Sequence, residues 1–133
     1  MTGLIRNLSC ALALAALTAA APPTTGKVAW VIDGDTVRLT SGERIRIADI
    51  DAAETRKDQA KCAAEIETGK AATRNAIDLL KGRTISIVRV GRSYNRTVAR
   101  ISLGDRDVGT MLIAKGVARP WLRHQPKPDW CSA

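Results

Sequence analysis

The sequence predicts an α+β domain that is mainly β: a five-stranded Greek-key barrel with a long helix after the third strand and a short helix near the C-terminus. Three observations carry that expectation. Short alternating or β-branched runs recur along the chain, punctuated by Asp-Gly, Ser-Gly and Asn-containing turn signals. One stretch, Cys62 to Lys81, switches to helical spacing. The length, 133 residues, has room for one domain and one modest core. Five strands with a helix after the third match a small barrel of the OB type, on which nucleic-acid surfaces are common.

Composition narrows the chemistry. Hydrophobic residues at 45% and charged ones at 26% fit a globular chain and exclude a disordered or collagen-like one. Only 3% is aromatic and Phe is absent, so the core has to be built from Val, Ile, Leu and Ala. Lys and Arg number 21 against 13 Asp and Glu, a net charge of +8. Such a balance points to an anionic partner: nucleic acid, an acidic membrane surface or an acidic protein.

The N-terminal residues 1–21 read as a secretory signal. Arg6 gives the positive start, Leu8 to Leu17 the apolar run, and Ala19-Ala20-Ala21 a small-x-small cleavage site. The run is shorter than the roughly 20 apolar residues a bilayer requires. Export to the periplasm or the medium follows, with no stable membrane association once the signal is cleaved. Residues 22–26 make a linker, 27–121 the domain and 122–133 an irregular tail rich in Pro and Trp. Cleavage leaves Cys62 and Cys131 in an oxidising compartment, where an even count predicts a bridge that ties the tail back.

Lys27 to Asp33 alternates with Val28, Trp30 and Ile32 on one face; Asp33-Gly34-Asp35 turns the chain into Thr36 to Thr40, and Ser41-Gly42-Glu43 into Arg44 to Ile50. Ala53 to Lys61 is polar loop. The helix from Cys62 carries Ile66, Gly69, Thr73, Ala76, Ile77 and Leu80 as its apolar stripe and ends at Gly82. Thr84 to Val90 and Thr97 to Leu103 are the last strands, joined by a loop in which Asn95 is expected to take the left-handed backbone. Asp107 caps the short helix.

Two acidic groups carry the chemistry. Asp33 and Asp35 flank a glycine turn; Asp49, Asp51 and Glu54 follow, with Arg46 just before them. Either group alone reads as a hairpin turn or a solvated strand end. Together they supply hard oxygen ligands beside a cation that suits a phosphate, the combination phosphodiester cleavage needs. Tyr94-Asn95-Arg96 adds a ring and a second guanidinium, whose fork fits phosphate better than an ammonium.

The order of these motifs resembles the staphylococcal nuclease-like (thermonuclease) family. The likeness runs from Val31-Ile32-Asp33-Gly34-Asp35-Thr36-Val37 through Arg46-Ile47-Ala48-Asp49-Ile50-Asp51-Ala52-Ala53-Glu54-Thr55 and Tyr94-Asn95-Arg96 to Lys115-Gly116-Val117-Ala118. It implies calcium held by Asp35, Asp51 and the backbone carbonyl of Ala52, with Asp33 contacting water on the metal. It implies Glu54 as the base, Arg46 and Arg96 on the target phosphate, and Tyr94 lining the nucleotide pocket. The implied reaction is calcium-dependent hydrolysis of DNA and RNA, with single- and double-stranded DNA and RNA as expected substrates, to 3′-phosphates; nothing in the sequence suggests an oligomer interface, and a monomer is expected. The competing reading is a non-catalytic OB module that binds nucleic acid, which has no need of all the acids.

Departures from the family pattern are specific. Ala53 stands where Pro is common and Ser93 where Lys often appears. No second ring pair follows Gly116; Trp121 is the candidate to replace it, against burial in the tail. Strict alternation would set Arg46 and Asp51 on opposite faces, so a shared phosphate demands a bend between Ala48 and Asp51.

Overall fold

The computed structural model describes residue 16 and residues 19–132. Most of the segment read as a signal lies outside those residues. The elements run β1 (Thr25–Asp33), β2 (Thr36–Leu39), β3 (Arg44–Ile47), β4 (Ile50–Ala52), α1 (Ala63–Leu80), β5 (Thr84–Ser93), β6 (Arg96–Leu103), β7 (Arg106–Asp107), α2 (Val108–Ala114) and β8 (Ala118–Pro120). No helix among them is long and apolar enough to cross a membrane.

Five of the strands close into a ring. Antiparallel pairs link β3 to β2, β2 to β1, β1 to β5 and β5 to β6, and a parallel pairing of β6 with β3 shuts the barrel. β7 extends β6, and β4 pairs with β8 as a separate two-stranded ribbon. This is the mainly β, OB-like barrel the pattern predicts. Two details differ. The short strand β4 intervenes before the long helix, which therefore follows the fourth strand, and Ala118–Pro120, inside the expected domain, forms a further strand that the pattern does not predict.

The facing of β1 also differs from simple alternation. Val28 opposes Leu39 but Trp30 opposes Arg38, so Ala29 is an extra residue, and a second shift follows before Asp33. Such a bulge rotates everything after it. Val28 and Val31 are buried while Trp30 is 58% exposed. Trp30 and Ile32 thus do not share the core face with Val28.

The core is aliphatic, as a chain without Phe requires: Val37, Ile45, Ile47, Ile85, Ile87 and Ile101 line the barrel, with Leu80 of α1 and Leu112 of α2 packed on it. The stripe that α1 buries is Glu65, Gly69, Ala72, Ala76 and Leu80. It is rotated from the expected one, leaving Ile66 and Ile77 half-buried. Small residues on that face let the helix lie close to β1 and to the chain beneath it. α2 is capped by Asp107, whose Oδ2 accepts from the Thr110 N–H at 2.7 Å.

Cys62 and Cys131 are joined by a disulfide across 69 positions. Cys62 is also the N-cap of α1, so the bridge fastens the C-terminal tail to a helix start. Closing a loop of that size limits the unfolded chain by about 4 kcal/mol in the entropic account. The double variant Cys62→Ser/Cys131→Ser is expected to lose up to that amount in urea unfolding. An unchanged midpoint would show that the bridge contributes nothing.

Candidate active site

The site is built where β1–β2, the β3–β4 corner and the tail meet. Asp33 and Asp35 close the β1–β2 turn: the Asp35 N–H donates to Asp33 Oδ1 at 3.1 Å. Gly34 between them is obligatory, because a Cβ there would lie 2.7 Å from the Ala52 Cβ. Asp35 is buried; its Oδ1 accepts from Thr36 Oγ1 at 2.8 Å and its Oδ2 from the Ala52 N–H at 2.9 Å. That last bond joins the hairpin turn to β4.

The chain bends where a shared site needs it to. β3 ends at Ile47, and Asp49 takes φ 63 before β4 begins at Ile50. A side chain at positive φ is uncommon and is tolerated best by Asn and Asp. Beyond that corner Asp51 points back toward Arg46. The Arg46 guanidinium lies 3.3 Å from Asp35 Oδ2 and 3.7 Å from Asp51 Oδ1, and its Nη1 donates to the Ile47 carbonyl at 2.6 Å.

The tail supplies the other half of the site. Lys127 Nζ stands 2.8 Å from Glu54 Oε1 and 3.4 Å from Asp51 Oδ1. Trp130 Nε1–H donates to Asp51 Oδ2 at 2.9 Å, and the Arg119 guanidinium lies over the Trp130 ring at 4.1 Å. Trp121 is half-buried, with the Arg46 and Lys127 cations 5.8 and 5.9 Å from its ring centroid, and its Nε1–H donates to the Gln125 carbonyl of the tail at 2.9 Å. His124 is exposed.

Electrostatics follow from burial. Desolvation, then the neighbouring Asp35 charge, raise Asp33 to about 7. Burial also raises Asp51, against the Trp130 hydrogen bond and the Lys127 charge. Burial disfavours the Lys127 ammonium, but the bond to Glu54 and the two carboxylate charges more than offset it, so Lys127 is raised as well. Asp51 Oδ1 is buried and accepts no hydrogen bond among the described residues.

The loop to Glu54 is held from below. Glu65, buried in the first turn of α1, accepts from the Glu54 N–H at 3.3 Å and from the Lys61 N–H at 2.8 Å. Gly69, one turn on, lets the loop rest on the helix: a Cβ there would come within 2.5 Å of the Glu54 carbonyl and 2.7 Å of the Ala53 carbonyl.

Asp33, Asp35, Arg46, Asp51, Ala52 and Glu54 are therefore brought together. Arg96 sits on β6, whose Val98 is the partner of Arg46, and its side chain bonds Ser93 at 3.4 Å. Tyr94 stands apart, 94% exposed at the tip of the β5–β6 hairpin. Tyr94 and not Asn95 takes the left-handed backbone there, at φ 54. Lys127, Trp130 and Glu65 are the residues that sequence reasoning missed. Trp130, one residue before a half-cystine, carried the clearest signal, since the bridge places it beside the start of α1.

Among the described residues no group of three His, Cys, Asp or Glu side chains converges as a metal cluster. Residues 44–129 match the profile of a family described as staphylococcal nuclease homologue. The match covers more than half of the chain, from β3 through Asp129, with β1, β2 and their Asp33–Asp35 turn before it. No curated protein gives a significant match.

Gly69→Ala is expected to push the Ala53–Glu54 backbone off the helix and lower stability by about 1–3 kcal/mol, as overpacking does; thermal melts check it. The raised acids set a pH dependence. With folded values above the unfolded 3.8, Asp33 and Asp51 bind more protons folded than unfolded. Stability in chelator should therefore fall as pH rises from about 4 to about 7. A melting temperature that climbs across that window would contradict the assignment.

Proposed function

The chain belongs to the staphylococcal nuclease homologues, and from that membership we propose that it is an exported, calcium-dependent phosphodiesterase that hydrolyses DNA and RNA to 3′-phosphates. The carrying observation is the convergence of Asp35, Arg46 and Asp51, with Glu54 joined to them through Lys127, at a buried Asp51 Oδ1 that accepts no hydrogen bond among the described residues. A buried carboxylate oxygen without a hydrogen bond is available as a ligand to a cation.

The donors fit calcium, which accepts carboxylates, carbonyls and water in a tolerant geometry. Asp35, Asp51 and the Ala52 carbonyl would hold it, with Asp33 behind them, and bound there it supplies positive charge for the phosphate and acidifies water. Glu54 takes the proton of the attacking water. Arg46 and Arg96, on neighbouring strands, neutralise the oxygens on which charge builds in the pentacoordinate state. Trp130 and Lys127 fix the orientations of Asp51 and Glu54. Tyr94 and Trp121 offer rings to the substrate.

Export to the periplasm or the medium is supported by the leader-like residues 1–21 and by the Cys62–Cys131 bridge, which persists in oxidising compartments. The protein acts as a monomer without stable membrane association. A second reading, a non-catalytic module that binds nucleic acid, is favoured by one contact: Lys127 and Arg46 already cover the charge of Asp51.

Incubation of the chain from residue 22 onward with plasmid and single-stranded DNA decides between them. Degradation in calcium that stops in chelator supports the enzyme; intact DNA shifted in a gel supports the binder. Glu54→Gln should retain fold and DNA binding while losing about 10²–10⁴-fold in turnover. Wild-type rates in that variant would remove Glu54 from the mechanism.

A further inference from the structure

The bulge at Ala29 has a second effect on the barrel surface. It sets Trp30 outward, directly across from Arg38 of β2, and Arg38 is in turn the partner of Arg44 of β3. The parallel register of β3 and β6 places Ile45 beside Thr97 and Arg46 beside Val98. Continued by one residue, it sets Arg44 beside Arg96. Side chains directly opposite one another project from the same side of a sheet. The buried residues next to them in the chain, Val31, Val37, Ile45 and Thr97, take the inner side. The outer row is therefore Trp30, Arg38, Arg44 and Arg96.

That row is chemically unusual. Three arginines occupy adjacent positions across three strands, and among the described residues none of them forms an ion pair; the Arg44 Nε is buried with no acceptor. The nearest acid in sequence, Glu43, faces away and is taken by Arg89 at 2.6 Å. At the far end the Trp30 ring is exposed, with Lys81 Nζ 5.1 Å from its centroid. A groove lined by Ala29, Trp30, Arg38, Leu39, Thr40 and Gly42 runs beside it. Neighbouring strands are about 4.8 Å apart, so the row extends about 14 Å from Arg96.

We propose that Trp30, Arg38 and Arg44 form a subsite for single-stranded nucleic acid, continuous with Arg96, that holds the strand beyond the nucleotide being cleaved. The proposal rests on the nuclease reading above. Phosphates lie along the guanidinium row, and an unstacked base closes on the Trp30 ring. A duplex has no free base face to offer at that end.

The test uses the full mature chain in chelator, so that bound strands stay intact. Binding of an oligothymidylate of about 12 nucleotides, within the ~4–16 that an OB fold occupies, is compared with that of a thymidine dinucleotide by anisotropy competition. Trp30→Ala is expected to weaken the oligomer about tenfold and leave the dinucleotide unchanged, with Trp30→Phe restoring most of the loss. Arg38→Gln and Arg44→Gln should each reduce the salt slope for the oligomer by about 0.7. Equal losses on both ligands, no loss on the oligomer, or a duplex held as tightly as the single strand would each overturn the subsite. If the wild type hydrolyses DNA in calcium but these variants bind normally, only the subsite falls; if it neither binds nor hydrolyses, the nuclease reading falls with it.

Discussion

Two of the buried carboxylates, Asp35 and Asp51, face each other's partners in a domain whose interior is mostly aliphatic, and the arrangement of the rest follows from what they need. Burying a charge is costly unless it is paired and hydrogen-bonded. Asp35 meets that demand with a hydroxyl, a backbone N–H and Arg46. Asp51 meets it only in part, with an indole, two flanking cations and one oxygen left without a hydrogen bond. Breaking either acid's contacts with the other partners retained would leave a buried uncompensated charge, which is why the turn, the β3–β4 corner and the tail converge on one point.

Much of the fold was legible because it rests on local chemistry. Asp-Gly and Ser-Gly turns, helical spacing after Cys62 and the Asp107 cap are each decided within a few residues, and so is the need for a bend before Asp51. What stayed hidden depends on long-range packing. Nothing local marks Ala29 as an extra residue; the shift is visible only against β2, and it reverses which of Val31 and Trp30 is buried. The buried face of α1 likewise depends on what lies under it. Glu65 is inside because two loop N–H groups require its carboxylate, a reason no hydrophobic periodicity can register.

The acidic cluster was legible as a list and not as a geometry. Asp35, Arg46, Asp51 and Glu54 announced themselves through spacing, whereas Lys127 and Trp130 come from a segment rich in Pro and otherwise featureless. Their placement is set by a covalent bond and not by secondary structure, so no propensity could reveal it. The family match begins at residue 44 and extends into this tail, which makes the tail part of the shared domain and not an appendage to it.

The bridge between Cys62 and Cys131 sets a clock as well as a position. Lys127 and Trp130 reach the acids along a short run of chain that the disulfide anchors at Cys131. Before that bond forms, the tail is tethered only at Trp121, through its N–H to the Asp49 carbonyl, and by scattered polar contacts. Asp35, Asp51 and Glu54 leave the ribosome well before the last residues emerge, so the charged cluster is completed only after the tail and its disulfide are in place. A chain still in a reducing compartment carries the barrel but lacks the covalent latch of its rim. Redox history, rather than folding alone, marks when this surface is finished.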